Sequence, residues 1–155
     1  MLRQSMPNNQ WRVFLDTNVL IAGLASKTGA SAAILDLGEA EEICIVISQH
    51  VLVEADRVFL AKFPQLIDQF RKFIKNLAPL LMDDPNPQAV HEASEAIEIN
   101  DAPILAAVKS ERVDYLVTLD IKHFKTPKAT KYVTTPIVTP AEFLEVFRKF
   151  WEQVS

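Results

Sequence analysis

Four carboxylates stand where a divalent cation would find hard oxygen ligands: Asp16, Glu54, Asp101 and Asp120. Asp16 closes the short β-prone run of residues 11–15, and Asp120 follows the strand expected over residues 114–118. Ligand sites in open parallel sheets gather beyond the carboxyl ends of strands, so these two acids fall at the place where chemistry is expected. Asp101 opens a helix at Asp101-Ala102-Pro103, because proline is tolerated in a first turn, and such helices begin on the same side of the sheet. Glu54 projects from a helix at the margin of an apolar arc built by Val51, Leu52, Ala55, Val58 and Phe59. Ions held by these acids would be Mg²⁺ or Mn²⁺, one or two in number. Their chemistry is activation of water and polarisation of a phosphoryl oxygen. Each acid also has a plain structural explanation. Asp16, Asp101 and Asp120 have the types and places of helix caps, and Glu54 has Arg57 one turn on. Only the four together point to a reaction.

The elements that must position these acids alternate along the chain. Residues 19–25 are apolar and helical in pattern, and Lys27-Thr28-Gly29 breaks them; Ser31 is then expected to cap a helix to about Ala40. Residues 43–47 form an unbroken, β-branched strand of the kind buried on both faces. Ser48 caps the helix that carries Glu54, which runs to about Lys62 and stops before Pro64. An amphipathic helix with Leu66, Ile67, Phe70, Phe73, Ile74 and Leu77 follows, then a short strand at Leu80-Leu81-Met82. A helix is expected from about Gln88 to Ile97, another from Asp101 to about Lys109, and a basic loop after Asp120. Pro136-Ile137-Val138 forms the last short strand, and Thr139-Pro140-Ala141-Glu142 has capping-box spacing for a final helix through Trp151. Strands alternating with helices predict a three-layer α/β/α sandwich around a four- to five-stranded, mostly parallel sheet.

Composition sets outer limits. At 155 residues and 49% hydrophobic content the chain has the size of one domain with a single core; residues 1–10 read as a flexible arm and 11–155 as that domain. No apolar run approaches the roughly 20 residues of a membrane span, and the opening MLRQSMPNNQ has no secretory pattern. The lone Cys44 forms no internal disulfide and reads as a small buried hydrophobe. A cytoplasmic setting is expected. The net charge of −4 argues against a protein that coats nucleic acid broadly, but not against a nuclease whose metal supplies the positive charge.

Taken with their flanks, the four acids resemble the motifs of the PIN domain family, the fold of many bacterial and archaeal toxin ribonucleases. Val13-Phe14-Leu15-Asp16-Thr17-Asn18-Val19-Leu20-Ile21 resembles the first motif, and Ser48-Gln49-His50-Val51-Leu52-Val53-Glu54 the mid-domain helix acid. Asn100-Asp101-Ala102-Pro103-Ile104-Leu105-Ala106-Ala107 is similar to the third motif, and residues 115–124 around Thr118-Leu119-Asp120 to the fourth. The resemblance implies a Mg²⁺- or Mn²⁺-dependent endoribonuclease, the toxin of a toxin–antitoxin pair, with RNA as substrate, a cognate antitoxin as partner and a homodimer as its assembly. It carries Asp16, Glu54, Asp101 and Asp120 over as the catalytic, metal-holding acids, with Asn18 and Thr118 as polar supports. Two positions depart from the family's habit: Leu119 stands where glycine is common, and Asn100 where a second acid often precedes the third motif's aspartate.

Beside Asp120, the cations Lys122, His123, Lys125, Lys128 and Lys131 are placed to meet flanking phosphates, the first three most directly. Phe124 reads as core in preference to a stacking platform for a base, and Arg71, Lys72 and Lys75 as the outer face of a helix. His50 and His91 have no metal-ligand spacing. An aspartyl-phosphate phosphatase needs an acid two residues after its nucleophile, where Asn18 stands. A dinucleotide module needs a glycine-rich loop that no strand here precedes. The remaining rival is a catalytically weak or inactive PIN-like scaffold that binds RNA or protein, which the substitution at Asn100 keeps open.

Overall fold

The computed structural model describes residues 10–154. The arm expected over residues 1–10 lies outside them except for Gln10, whose side chain donates to the Glu41 carbonyl.

The elements follow in order: β1 (Arg12–Leu15), α1 (Thr17–Ala25), α2 (Ala30–Glu39), β2 (Cys44–Ser48), α3 (Gln49–Lys62), a single 3₁₀ turn (Pro64–Leu66), α4 (Ile67–Leu77), β3 (Leu80–Met82), α5 (Pro87–Ala93), α6 (Ala102–Ser110), β4 (Tyr115–Val117), α7 (Ile121–Phe124), α8 (Pro127–Tyr132), β5 (Ile137–Val138) and α9 (Pro140–Val154). The five strands form one sheet in the order β3-β2-β1-β4-β5. Every pair is parallel, with Phe14 opposite both Val46 and Leu116. The winding runs outward from β1 through β2 to β3, then jumps back across β1 to β4 and β5. Right-handed crossovers therefore place helices on both faces, which is the expected three-layer arrangement. The direction reverses between β1 and β4, the switch point beyond whose strand ends ligand sites gather in sheets of this kind.

The hydrophobic pattern explains why the sheet sits inside. Val13, Phe14, Leu15, Val46, Ile47, Leu116 and Val117 have no exposed surface, as strands covered on both faces require. At the edge of this core Trp11, Tyr115, Phe143 and Phe147 meet ring against ring and seat α9 on the sheet. The capping box is closed in both directions: Glu142 N–H donates to Thr139 Oγ1, and Thr139 N–H to Glu142 Oε1. Phe124 is fully buried, in accord with its assignment to the core.

Four expectations are corrected. Gly29, at φ 102°, stands at the N-cap of α2 in place of Ser31, because the turn entering that helix needs a backbone that side chains resist. The helix expected to reach Ile97 ends at Ala93; the Ser94 hydroxyl bonds back to the His91 carbonyl, and tight turns then bury Ile97. The basic loop after Asp120 is two short helices, α7 and α8, capped by Asp120 and Thr126. Cys44 is half-buried at the start of β2, not enclosed.

Ser48 is fully buried and its hydroxyl accepts from Val51 N–H, fixing the first turn of the helix that carries Glu54. Ser48→Ala is expected to lower stability by about 1–2 kcal/mol, read from urea midpoints, because a buried cap leaves its donor without an acceptor.

Candidate metal centre

Asp16 lies at the switch point just beyond β1, and backbone pairing puts it there: its N–H bonds to the Val117 carbonyl across the β1–β4 gap. Its carboxylate does three jobs at once. Oδ1 accepts from Thr17 N–H at 2.7 Å and so caps α1; Oδ2 accepts from the Thr118 hydroxyl at 2.8 Å; and the group as a whole remains 5% exposed. Burial pushes its pKa up to about 6 despite the hydrogen bonds from Thr118 and Thr17, and the charges of Asp101 and Glu54 push the same way. Thr118 in turn accepts from Asp120 N–H at 2.9 Å, so one buried hydroxyl joins the acids at the ends of β1 and β4.

Glu54 reaches the same place from α3. Its Oε1 accepts from the Thr17 hydroxyl at 2.6 Å, 37 residues away in sequence, in preference to any pairing with Arg57. Asp101 sits at the N-cap position of α6, yet its backbone is already helical and its side chain makes no capping bond. The carboxylate is free to face the other acids. Its pKa is raised, first by burial and then by the charge of Asp120, with Glu98 and Glu54 adding to it. Asp120 does cap α7, accepting from His123 N–H. All four acids predicted from sequence thus lie in one electrostatic neighbourhood.

Sequence reasoning missed two members of this neighbourhood. The His123 ring, expected to meet phosphate, turns toward the acids while staying exposed: Nδ1 lies 2.8 Å from Asp120 Oδ2 and 3.2 Å from Asp101 Oδ2. Its pKa is raised by the hydrogen bond to Asp120 and by the surrounding negative charge. The signal was the spacing Asp120-x-x-His123, which puts both on one face of a helical turn. Glu98 is the other. Its carboxylate accepts from Asn100 N–H and Nδ2, and its charge bears on both Asp101 and His123. The negative charge absent at Asn100 is thereby supplied from two residues upstream.

The supporting residues divide. Thr118 is buried and bonded as described, whereas Asn18 is exposed and makes no hydrogen bond to the acids among the described residues; Thr17 holds Glu54 instead. Lys125, expected to meet phosphate, is paired with Glu142 at 3.2 Å. Lys122 remains free of ion pairs among the described residues. His50 Nε2 lies 3.9 Å from Glu54 Oε1, too far for a hydrogen bond. Leu119 is exposed. Arg71 forms a bidentate pair with Asp56 on the outer surface, away from these acids.

The donor set fits a divalent cation. Oxygens of Asp101 and Asp120 and the His123 nitrogen lie within 4.8 Å of one another, and the imidazole bridges the two carboxylates as a small cation would. Burial and the charges of their neighbours raise the proton affinity of Asp16 and Asp101, the condition a bound cation relieves.

Fold and site together define a doubly wound α/β protein with a carboxylate cluster at its topological switch point. The chain belongs to the PIN domain family, which it matches over residues 12–122. Among solved structures it is similar to VapBC2 from Rickettsia felis, determined bound to a DNA fragment from their promoter, at 21% identity and a TM-score of 0.58, over 83% of this chain and 98% of that one. It is also similar to PAE2754 from Pyrobaculum aerophilum, at 15% identity and a TM-score of 0.59, over 88% of each chain. No curated protein sequence matches. Among the described residues, no single helix is long and apolar enough to cross a membrane.

Proposed function

We propose that this chain is a Mg²⁺- or Mn²⁺-dependent endoribonuclease, acting in the cytoplasm as the toxin of a toxin–antitoxin pair. The observation that carries the reading is the convergence of Asp16, Glu54, Asp101 and Asp120 at the switch point, with burial and mutual repulsion raising the proton affinity of Asp16 and Asp101. Asp16, Asp101 and Asp120 would hold one or two ions, with Glu54 completing the set and His123 as a nitrogen ligand or as the group a metal displaces. When bound, the ion supplies polarisation of the phosphoryl oxygen and activation of water at neutral pH.

The chain's own residues do the positioning. Thr118 and the Thr17 backbone lock the Asp16 rotamer, and the Thr17 hydroxyl aims Glu54 at the same point. Preorganisation of this kind removes reorganisation from the reaction step. Membership of the PIN domain family and the likeness to VapBC2 support the toxin reading. It brings with it an antitoxin that blunts the site and a homodimer. Val53 and Leu60, exposed two turns apart on α3, offer apolar surface for such contacts.

Purified protein with Mn²⁺ is expected to cut RNA internally, to lose that activity on chelation with EDTA and to regain it when Mn²⁺ is restored. Cleavage undiminished by EDTA would defeat the metal-dependent reading. No cleavage of diverse RNAs, with RNA binding retained, would favour the scaffold.

A further inference from the structure

A groove of about 600 Å³ opens beside the acid cluster, between the turns after α5 and the pair α7–α8. His123 lines it and also touches Asp120 and Asp101, so the groove adjoins the acid cluster through this ring. Its walls differ in charge. Lys122 and Lys128 stand on one side, both exposed and free of ion pairs among the described residues; Glu95 and Glu98 stand on the other. The apolar surfaces of Ile97 and Pro127 lie between them. The volume lies within the roughly 300–1,000 Å³ of small-ligand pockets, enough for a nucleotide turned out of its stack and too small for a duplex.

We infer that this groove is a base-reading subsite for the nucleotide next to the scissile phosphate, with Glu95 as its specificity-determining residue and guanine as the preferred base. The inference rests on the ribonuclease reading. A sugar–phosphate chain follows the lysine wall, where Lys122 and Lys128 meet its charges. That orientation directs the base across Ile97 and Pro127 toward the acidic wall. Each Glu98 oxygen already accepts one bond, from Asn100 N–H and Nδ2 at 2.9 and 3.2 Å, which holds that carboxylate toward its own turn. Glu95 is exposed and its side chain has no such partner among the described residues, so it is the acceptor freest to meet the base. A carboxylate accepts through two oxygens and donates nothing. Guanine alone presents two adjacent donors, N1–H and the 2-amino group, on its Watson–Crick edge, which suits a bidentate contact. Adenine, cytosine and uracil each set an acceptor beside their donor and leave one Glu95 oxygen facing a lone pair.

The test uses the full chain carrying Asp16→Asn, so that RNA binds without being cut. Fluorescein-labelled single-stranded oligoribonucleotides, uniform except for one guanine, cytosine or uracil in an adenine background, are titrated with Mg²⁺ present and followed by anisotropy. The guanine oligomer is expected to bind about 10-fold more tightly than the others. Adding Glu95→Gln, which replaces an acceptor with a donor, is expected to remove that preference. Adding Lys128→Ala is expected to weaken every oligomer alike and to reduce the salt slope by about one. Equal affinity for all bases, a preference that survives Glu95→Gln, or binding indifferent to Lys128→Ala would each overturn the subsite. Cleavage by the parent chain, measured in parallel, separates the two readings. RNA cut without base bias leaves the nuclease and removes the subsite. The expected binding pattern without any cutting keeps the subsite and removes the nuclease.

Discussion

Asp16→Asn is expected to abolish RNA cleavage and, in the same molecule, to stabilise the metal-free protein at neutral pH. The first effect follows from losing a charged ligand at the centre of the cluster: metal assistance contributes several kcal/mol to the transition state, so a fall of about 1,000-fold or more is expected. The second follows from burial. The folded chain holds the Asp16 proton up to about pH 6, while the unfolded chain releases it near the ordinary value of 3.8. Because the folded state binds that proton more tightly, its contribution to stability is fully present below about pH 4 and is lost as pH rises through 6. A displacement of about two pH units corresponds to about 3 kcal/mol by pH 7. Asparagine removes that penalty but offers one acceptor oxygen where the carboxylate offers two to Thr17 N–H and the Thr118 hydroxyl. The net gain is therefore about 1–3 kcal/mol. Urea midpoints in EDTA should show the variant ahead at pH 7 and level with the parent or up to about 2 kcal/mol behind it near pH 4, where the burial penalty is gone and only the lost acceptor counts. Saturating Mn²⁺ should reverse the order, since an ion at about 1,000 times its Kd stabilises the parent by about 4.1 kcal/mol. A variant less stable than the parent in EDTA at pH 7 would show that Asp16 is held by favourable contacts that outweigh its burial.

The same coupling of burial and charge explains which parts of the site were readable in the sequence. Asp16 and Asp120 were legible because parallel strands deliver their carboxyl ends to one edge, whatever the side chains do later. Asp101 was ambiguous, since an aspartate before Ala-Pro looks like a cap; only its backbone, helical already at the cap position, removes that role. Glu54 was legible as a marginal residue on a helix, but its bond to Thr17 joins residues 37 apart and has no trace in local spacing. The sheet was legible from its unbroken apolar runs. The end of α5 at Ala93 was not, because the turns that follow are stabilised by burying Ile97, a tertiary effect. Lys125 and His123 show the limit most clearly. Neighbours in a basic stretch, they part company once α7 forms: one faces Glu142 on α9 and the other faces the acids.

Thr118→Val, nearly isosteric, is expected to destabilise the protein by about 2–4 kcal/mol at pH 7, a large share of the roughly 5–15 kcal/mol that holds a typical domain together. Thr118 has no exposed surface. Its hydroxyl donates to a buried carboxylate at 2.8 Å and accepts from Asp120 N–H at 2.9 Å. Valine fills the space but leaves Asp16 short of one hydrogen bond to its charged form and Asp120 N–H without this acceptor. Thr118→Ser keeps both bonds and loses one methyl, so about 1 kcal/mol is expected. The contrast between valine and serine in metal-free urea unfolding isolates the hydroxyl from the packing. Most of the valine penalty belongs to the charged acceptor, which makes the two substitutions non-additive. In an Asp16→Asn background, Thr118→Val should cost about 1 kcal/mol or less, since the group that needed the hydroxyl no longer carries charge. Equal penalties in both backgrounds would mean that Thr118 serves the Asp120 turn alone, and that the ends of β1 and β4 are not joined energetically through its side chain.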